Sequence, residues 1–321
     1  MKHVLHNAVA RLLPFLMQTR KKQRLSILTY HGVLPDHDFM RPNEPTAAIF
    51  DWQMELISHY FNPLPLSEAL ALMRVGELPE RAVCITFDDG YANNAEQALP
   101  ILQRWRIPAT VFVSTGFLNG GRMWNDSVIE ALRIAEGLDF DLRELGLDVY
   151  YIEGIERRRA SAAAIISEIK HWPPQKRAHA IDVIEARVGL LPGDMMMTDD
   201  QVRLLNNAGI EIGAHTQSHP ILATLDRVNA EQEILGSKFY LESLLGRPVR
   251  HFAYPNGRPG IDYRMEHRDL VEQGGFESAV STQWGVANPV SDRWQLPRFT
   301  PWDRTPLRFM TRLLLNYRHP G

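Results

Sequence analysis

Six short runs of apolar, largely β-branched residues constrain this chain more than anything else in its sequence. They are Leu25–Tyr30, Ala82–Phe87, Ala109–Val113, Ile210–Ala214, Val249–Tyr254 and Ser278–Ser281. The runs are nearly continuous in hydrophobicity instead of alternating, the pattern of parallel strands covered on both faces. Four of them stop at residues that carry chemistry or form turns: His31, Asp88-Asp89-Gly90, His215, and the Pro255 turn after Tyr254. Amphipathic helices separate them. Thr198 and Gln201 make a capping box before Val202, Leu205 and Ala208, and Gly209 stops the helix. Ala230, Ile234, Leu241 and Leu245 mark another, ended by Gly246 and Pro248. Such strand–helix alternation builds a barrel or a doubly wound sheet.

Two stretches break the rhythm. Between about Gly120 and Met197 an Ala-rich segment with Arg157-Arg158-Arg159 and Trp172-Pro173-Pro174 reads as a helical insertion between core strands. Its arginine run reads as a solvated helix face, with a groove wall for an anionic ligand as the alternative. At the N-terminus, Leu5, Val9, Leu12 and Leu16 share one helical face ahead of Arg20, Lys21 and Lys22. Residues 4–17 are too short to span a bilayer, which takes about 20 apolar residues. They suit a helix packed on its own domain, or one lying on the inner membrane face. The expected organisation is an extension over 1–24, a barrel domain over 25–309 with the insertion at about 120–197, and a tail over 310–321. The expected location is cytoplasmic, with membrane contact only through residues 4–17.

Composition excludes several function classes. A net charge of −3 gives no basic field for a nucleic-acid backbone. One cysteine, Cys84, allows neither an intrachain disulfide nor a Cys-rich zinc site. Any metal must therefore be held by His and carboxylate. His215-Thr-Gln-Ser-His219 has a spacing suited to two ligands of one ion, and no Glu follows His215 as a zinc protease would need. Asp88-Asp89 offers a carboxylate pair. Consecutive strand residues diverge, so one acid can face an ion while the other stands beside its water. Taken alone, such a pair also serves as a turn former or helix cap.

Thr86–Gly90 (TFDDG), His215–His219 (HTQSH) and Phe252–Gly257 (FAYPNG) resemble the first three motifs of the polysaccharide deacetylases, the NodB-homology group or carbohydrate esterase family 4. Leu28–Val33 (LTYHGV) and Leu296–Phe299 (LPRF) resemble the branch acting on bacterial exopolysaccharides. The resemblance runs from about Leu25 to Phe309 and implies a distorted (β/α)7 barrel. It implies Asp88 as catalytic base, Asp89, His215 and His219 as metal ligands, and His31 as the acid that protonates the leaving amine. It further implies a divalent metal, Zn2+ first, with Co2+, Ni2+ or Fe2+ as alternatives, and an N-acetylated glycan substrate.

The chain departs from the family pattern at three places. Ala253 stands where many members carry an arginine that orients the base, and Arg298 is the expected replacement. Asn256 stands where a Tyr commonly lends its backbone N–H to an oxyanion hole, a donor that tolerates the change. No C-terminal Leu-x-His motif is present. Tyr254 and Trp124 are the substrate-side candidates, and Trp284, Trp294 and Trp302 are further aromatic surfaces. Two rival functions remain at this stage: a same-fold hydrolase of small cyclic amides, and a non-catalytic glycan-binding module. The oligomeric state is not readable.

Overall fold

The protein is described here by a computed structural model covering residues 23–317. The proposed N-terminal helix at 4–17 lies outside the described residues. Strand β1 (Leu25–Tyr30) leads to helix α1 (Ala47–Tyr60), a two-residue β2 (Asn62–Pro63) and α2 (Leu66–Val75). Then follow β3 (Ala82–Phe87), α3 (Leu99–Trp105) and β4 (Ala109–Val113). The insertion holds α4 (Trp124–Ile134), β5 (Asp139–Asp141), β6 (Val149–Tyr151), α5 (Gly154–Ile169) and α6 (Pro174–Val188). The chain returns through α7 (Asp199–Asn207), β7 (Glu211–Ala214), α8 (Arg227–Leu245) and β8 (His251–Ala253). It ends with α9 (Met265–Gln273), β9 (Ser278–Trp284), β10 (Leu296–Arg298) and α10 (Pro306–Asn316).

The strands run parallel in the order β1-β3-β4-β7-β8-β9-β10, with β2 beside β3. Phe299 closes the circle on β1, donating to Ile27 O at 2.8 Å and accepting from Thr29 N at 3.0 Å. The result is a seven-stranded barrel wrapped by helices. Alternate side chains of each strand serve different layers. Val83, Ile85 and Phe87 of β3 face the helices, while Ala82 and Cys84 join Leu25, Ile27, Phe112 and Leu296 in a separate inner cluster. Cys84 is thus a buried apolar filler. Helix α2 adds Leu66, Ala69 and Met73 to that inner cluster. Gly213 is required beside it, because a Cβ there would lie 2.4 Å from the Phe112 ring.

Several sequence expectations need correcting. Leu296–Arg298 is a full barrel strand, too short and too polar to show as an apolar run. The insertion is not wholly helical: β5 and β6 pair antiparallel, and the unit packs around its own core of Val128, Leu132, Ile152, Ile165 and Ile184. Of the segment expected as a tail, residues 310–317 are described, and they are part of the fold. Met310–Asn316 continue α10, whose Met310, Leu313 and Leu314 are buried in the main core, followed by buried Tyr317. Among the described residues, no helix is long and apolar enough to cross a membrane.

Candidate active site

The barrel register assembles the site. Tyr30 pairs with Phe87, so His31 and Asp88 emerge side by side one residue later. Val113 pairs with Ala214, placing His215 at the same rim. Ala214 pairs with Phe252, and the Tyr254–Gly257 turn follows two residues on. His31, Asp88, Asp89, His215, His219, Asn256 and Trp124 all line one cavity of about 850 Å3.

Asp89 adopts a left-handed backbone (φ 75°), which turns it away from the path of Asp88. Its Oδ1 lies 3.4 Å from Nε2 of both His215 and His219. His215 Nδ1 meets Ala253 O at 2.7 Å, so the proton sits on Nδ1 and the Nε2 lone pair faces the cluster. Burial pushes the His219 imidazole down to about 4, so this ring is neutral at ordinary pH. Burial raises the Asp89 carboxyl, but its position among His215, His219 and His31 outweighs this and holds it well below the usual range. One carboxylate and two imidazoles, with ligand atoms within 4.8 Å of one another, fit a divalent metal. Glu233 of α8 holds the histidine turn. Its carboxylate accepts from Gln217 N at 2.8 Å, Ser218 N at 2.9 Å and Ser218 Oγ at 2.6 Å.

Asp88 faces Arg298. The guanidinium donates from Nη1 to Oδ1 at 2.8 Å and from Nη2 to Oδ2 at 2.6 Å, while Nε reaches Ser281 O at 2.8 Å. Both side chains are buried. Burial pushes the Asp88 carboxyl up, and the arginine charge reverses this and holds it below the usual range. Ala253 therefore leaves no gap: the arginine comes from β10 instead of β8. Burial pushes the His31 ring down, but Asp89, Glu44 and Asp88 outweigh it, so His31 holds its proton more tightly than a free imidazole.

Asn256 also has a left-handed backbone (φ 57°), with its carbonyl accepting from Thr282 Oγ1 at 2.6 Å. Its N–H has no acceptor among the described residues and is free for a ligand oxygen. Asp89, Thr216, His219 and Asn256 are four of the seven described non-glycine residues at positive φ. Such backbone costs about 1–3 kcal/mol per residue and persists where surrounding structure enforces it. Strain is concentrated at this rim.

Trp124 joins the cavity wall from α4, and Trp302 stands at the same cavity, 62% exposed. Tyr254 does not join them. Its ring stacks on Tyr263 at 3.7 Å and its hydroxyl donates to Trp294 O at 2.9 Å, deep in the core. The apolar strand period carries it inward, which corrects its reading as a substrate residue. Trp294 likewise belongs to the core, its Nε1 donating to Phe276 O at 3.0 Å. Arg157, Arg158 and Arg159 are not part of the cavity lining. Arg157 pairs with Glu153, Arg159 with Glu156, and Arg158 donates to Leu132 O.

A second wall carries no motif that marks it in the sequence. Arg41, in the loop after β1, donates to Asp126 at 2.7 Å and Glu130 at 2.5 Å on α4. Arg133 of the same helix reaches back to Asp38 at 2.6 and 2.9 Å. Tyr91 adds a hydrogen bond to Asp126 at 2.9 Å. Contacts between residues 35–95 apart carry no local signal.

The sequence profile of the family Polysaccharide deacetylase matches residues 75–138 and 165–279, more than half of the chain. The unmatched gap falls in the insertion. YxkH of Bacillus subtilis (strain 168), assigned to the polysaccharide deacetylases, is 21% identical over 282 residues, covering 88% of this chain and 73% of its own length. The poly-β-1,6-N-acetyl-D-glucosamine N-deacetylase of Staphylococcus aureus (strain MSSA476) is 27% identical over 161 residues, 49% of this chain. That match spans 56% of the staphylococcal protein. Streptococcus pyogenes deacetylase PplD, solved in complex with acetate, superposes with a TM-score of 0.61 at 18% identity, over 91% of this chain and 98% of its own. IcaB from Ammonifex degensii gives 0.59 at 19%, over 90% and 95%.

Proposed function

We propose a function from one premise: this chain belongs to the polysaccharide deacetylase family, hydrolases of the carbon–nitrogen amide bond. Within that family we assign it the metal-dependent removal of N-acetyl groups from an amino-sugar glycan of bacterial exopolysaccharide or cell-envelope synthesis. The observation that carries the reading is the division of labour at Asp88-Asp89. Asp89 faces two imidazoles, and Asp88 is reserved by Arg298.

Asp89, His215 and His219 would hold the divalent cation. When bound there, that cation supplies Lewis acidity and makes a water easier to deprotonate. Asp88 is ionised at neutral pH, and each of its oxygens keeps a lone pair beyond its arginine bond. It takes a proton from the water that attacks the acetyl carbonyl. The Asn256 N–H donates to the carbonyl oxygen as negative charge develops there. His31 delivers its proton to the amine nitrogen as the C–N bond breaks. Water is thereby divided between acetate and a free amine. Trp124 and Trp302 offer aromatic faces for the sugar rings.

The test is acetate release from a panel of N-acetylated glycans with added Zn2+, Co2+, Ni2+ or Fe2+. Asp88→Asn is expected to lose about 10²–10⁴-fold in kcat while still retaining metal. Asp89→Ala is expected to lose both metal and turnover. Full activity in Asp88→Asn would overturn the assignment of the base.

A further inference from the structure

A second cavity of about 540 Å3 lies at the start of α6, and Trp124 forms a wall of both it and the main cavity. Arg177, in the first turns of α6, lines it and is only 5% exposed. No carboxylate comes within 4.0 Å of its guanidinium among the described residues. It lies over the Trp124 ring at 4.8 Å and donates to Lys170 O at 3.3 Å. Burial pushes this arginine down to about 10, by more than the charge of Glu233 raises it. Two of the three nearby acids are committed elsewhere. Glu185 binds Arg122 at 2.5 Å, Glu233 holds the Gln217–Ser218 turn, and Asp182 is exposed. Helix α6 opens on Pro173 and Pro174 with no side-chain cap and no acid in its first turn, so its first N–H groups, those of Gln175 and Lys176, have no side-chain acceptor among the described residues. The Trp124 Nε1 is buried and finds no acceptor. Donors converge here with no carboxylate paired to Arg177.

We infer that this cavity is a subsite for an anionic group, a carboxylate or a phosphate, carried by the glycan whose N-acetyl group lies in the main cavity. The inference rests on the deacetylase reading and adds that the substrate is an anionic glycan. A planar guanidinium over an indole, at a helix N-terminus, matches the forked oxygens of either group.

The test compares three N-acetylated oligosaccharides of one length: neutral, uronate-bearing and phosphate-bearing. In the intact protein the anionic glycans should show a KM lower by about tenfold, the size of one charge-assisted hydrogen bond. Whichever anion shows it names the source. Arg177→Gln should erase that preference, and Arg177→Lys should restore part of it. Gln175→Glu, at an exposed cavity-lining position, should weaken the preference through repulsion should the Arg177 variant fail to fold. Separately, glucuronate or inorganic phosphate should change indole fluorescence saturably, and Arg177→Gln and Gln175→Glu should weaken that response. Equal KM for neutral and anionic glycans overturns the subsite. So does an anion response that survives both variants, since the anion would then sit in the main cavity. Anion binding at Arg177 without acetate release from any glycan would instead overturn the deacetylase reading and leave the subsite standing.

Discussion

The two walls of the main cavity are built on different principles. The barrel wall is set by backbone register: each reactive group sits one or a few residues past a hydrogen-bonded strand pair, in a close-packed interior. The insertion wall is set by side-chain charge: Arg41 and Arg133 tie α4 to the loop after β1 through Asp38, Asp126 and Glu130. Register resists displacement because a slip would turn whole strands inside out. An ion-pair clamp gives way one charge at a time. Chemistry therefore belongs on the barrel side, and substrate selection can be adjusted on the insertion side.

Removing the charge that anchors the barrel wall should produce the largest effect. Arg298→Met leaves Asp88 buried without its partner, at a cost of about 3–5 kcal/mol in stability. Burial then dominates the Asp88 carboxyl and raises its pKa. The acid limb of the pH–rate profile should move to higher pH, and kcat should fall. Arg298→Lys should recover stability better than activity, because one ammonium cannot bind both carboxylate oxygens at once. An unshifted acid limb in Arg298→Met would show that Asp88 is not the titrating base.

Arg41→Met tests the other wall. It strips Asp126 and Glu130 of their shared cation, and Asp126 is buried. The cost should approach 3 kcal/mol, localised to the insertion. Steady-state kinetics should show KM rising by a larger factor than kcat falls. The reverse split would mean that the insertion wall takes part in the chemical step, and the contrast between the walls would fail.

Acid separates the walls more gently. Burial raises the Asp38 carboxyl, but the Arg133 hydrogen bond outweighs it and the net pKa lies below its ordinary 3.8. A depressed carboxylate adds stability above the unfolded value, and that stability is lost as pH falls below 3.8 towards the folded pKa. Asp126 behaves oppositely: burial holds its pKa above 3.8, so it binds its proton first, which favours the folded state on that count. The insertion should thus stay docked until the pH drops below 3.8 and then loosen through Asp38. Pepsin cleavage across that range should appear first in the insertion. Earlier cleavage of barrel segments would remove the distinction.

The same contrast explains what could be read from the sequence. β1, β3 and β4 have the limits that their apolar runs suggest, and the residues after them land at one rim because parallel strands point their C-terminal ends the same way. β8 is shorter than its run, because Val249 and Arg250 precede the ladder and Tyr254 leaves it for the turn. Arg298 was legible only as a candidate, since its strand is three residues long and its partner lies 210 positions away. Arg41, Asp126 and Arg177 were not legible at all. Isolated charges on loops and helices look like surface until the fold brings them under cover.

Tyr254→Phe should give the smallest effect, and it tests whether the barrel wall is sorted as cleanly as its register implies. Tyr254 directly precedes the Pro255–Gly257 turn that presents the Asn256 N–H, yet its own ring is buried against Tyr263. The substitution deletes only the hydroxyl bond to Trp294 O and leaves the stack in place. Losing one buried hydrogen bond costs about 1 kcal/mol, so the thermal midpoint should fall by a few degrees, with KM for the glycan unmoved. Trp124→Ala, on the insertion wall, should raise KM by more despite lying farther along the chain from every motif. If Tyr254→Phe raised KM instead, the hydroxyl would have to reach substrate, and the burial of this ring against Tyr263 would be wrong.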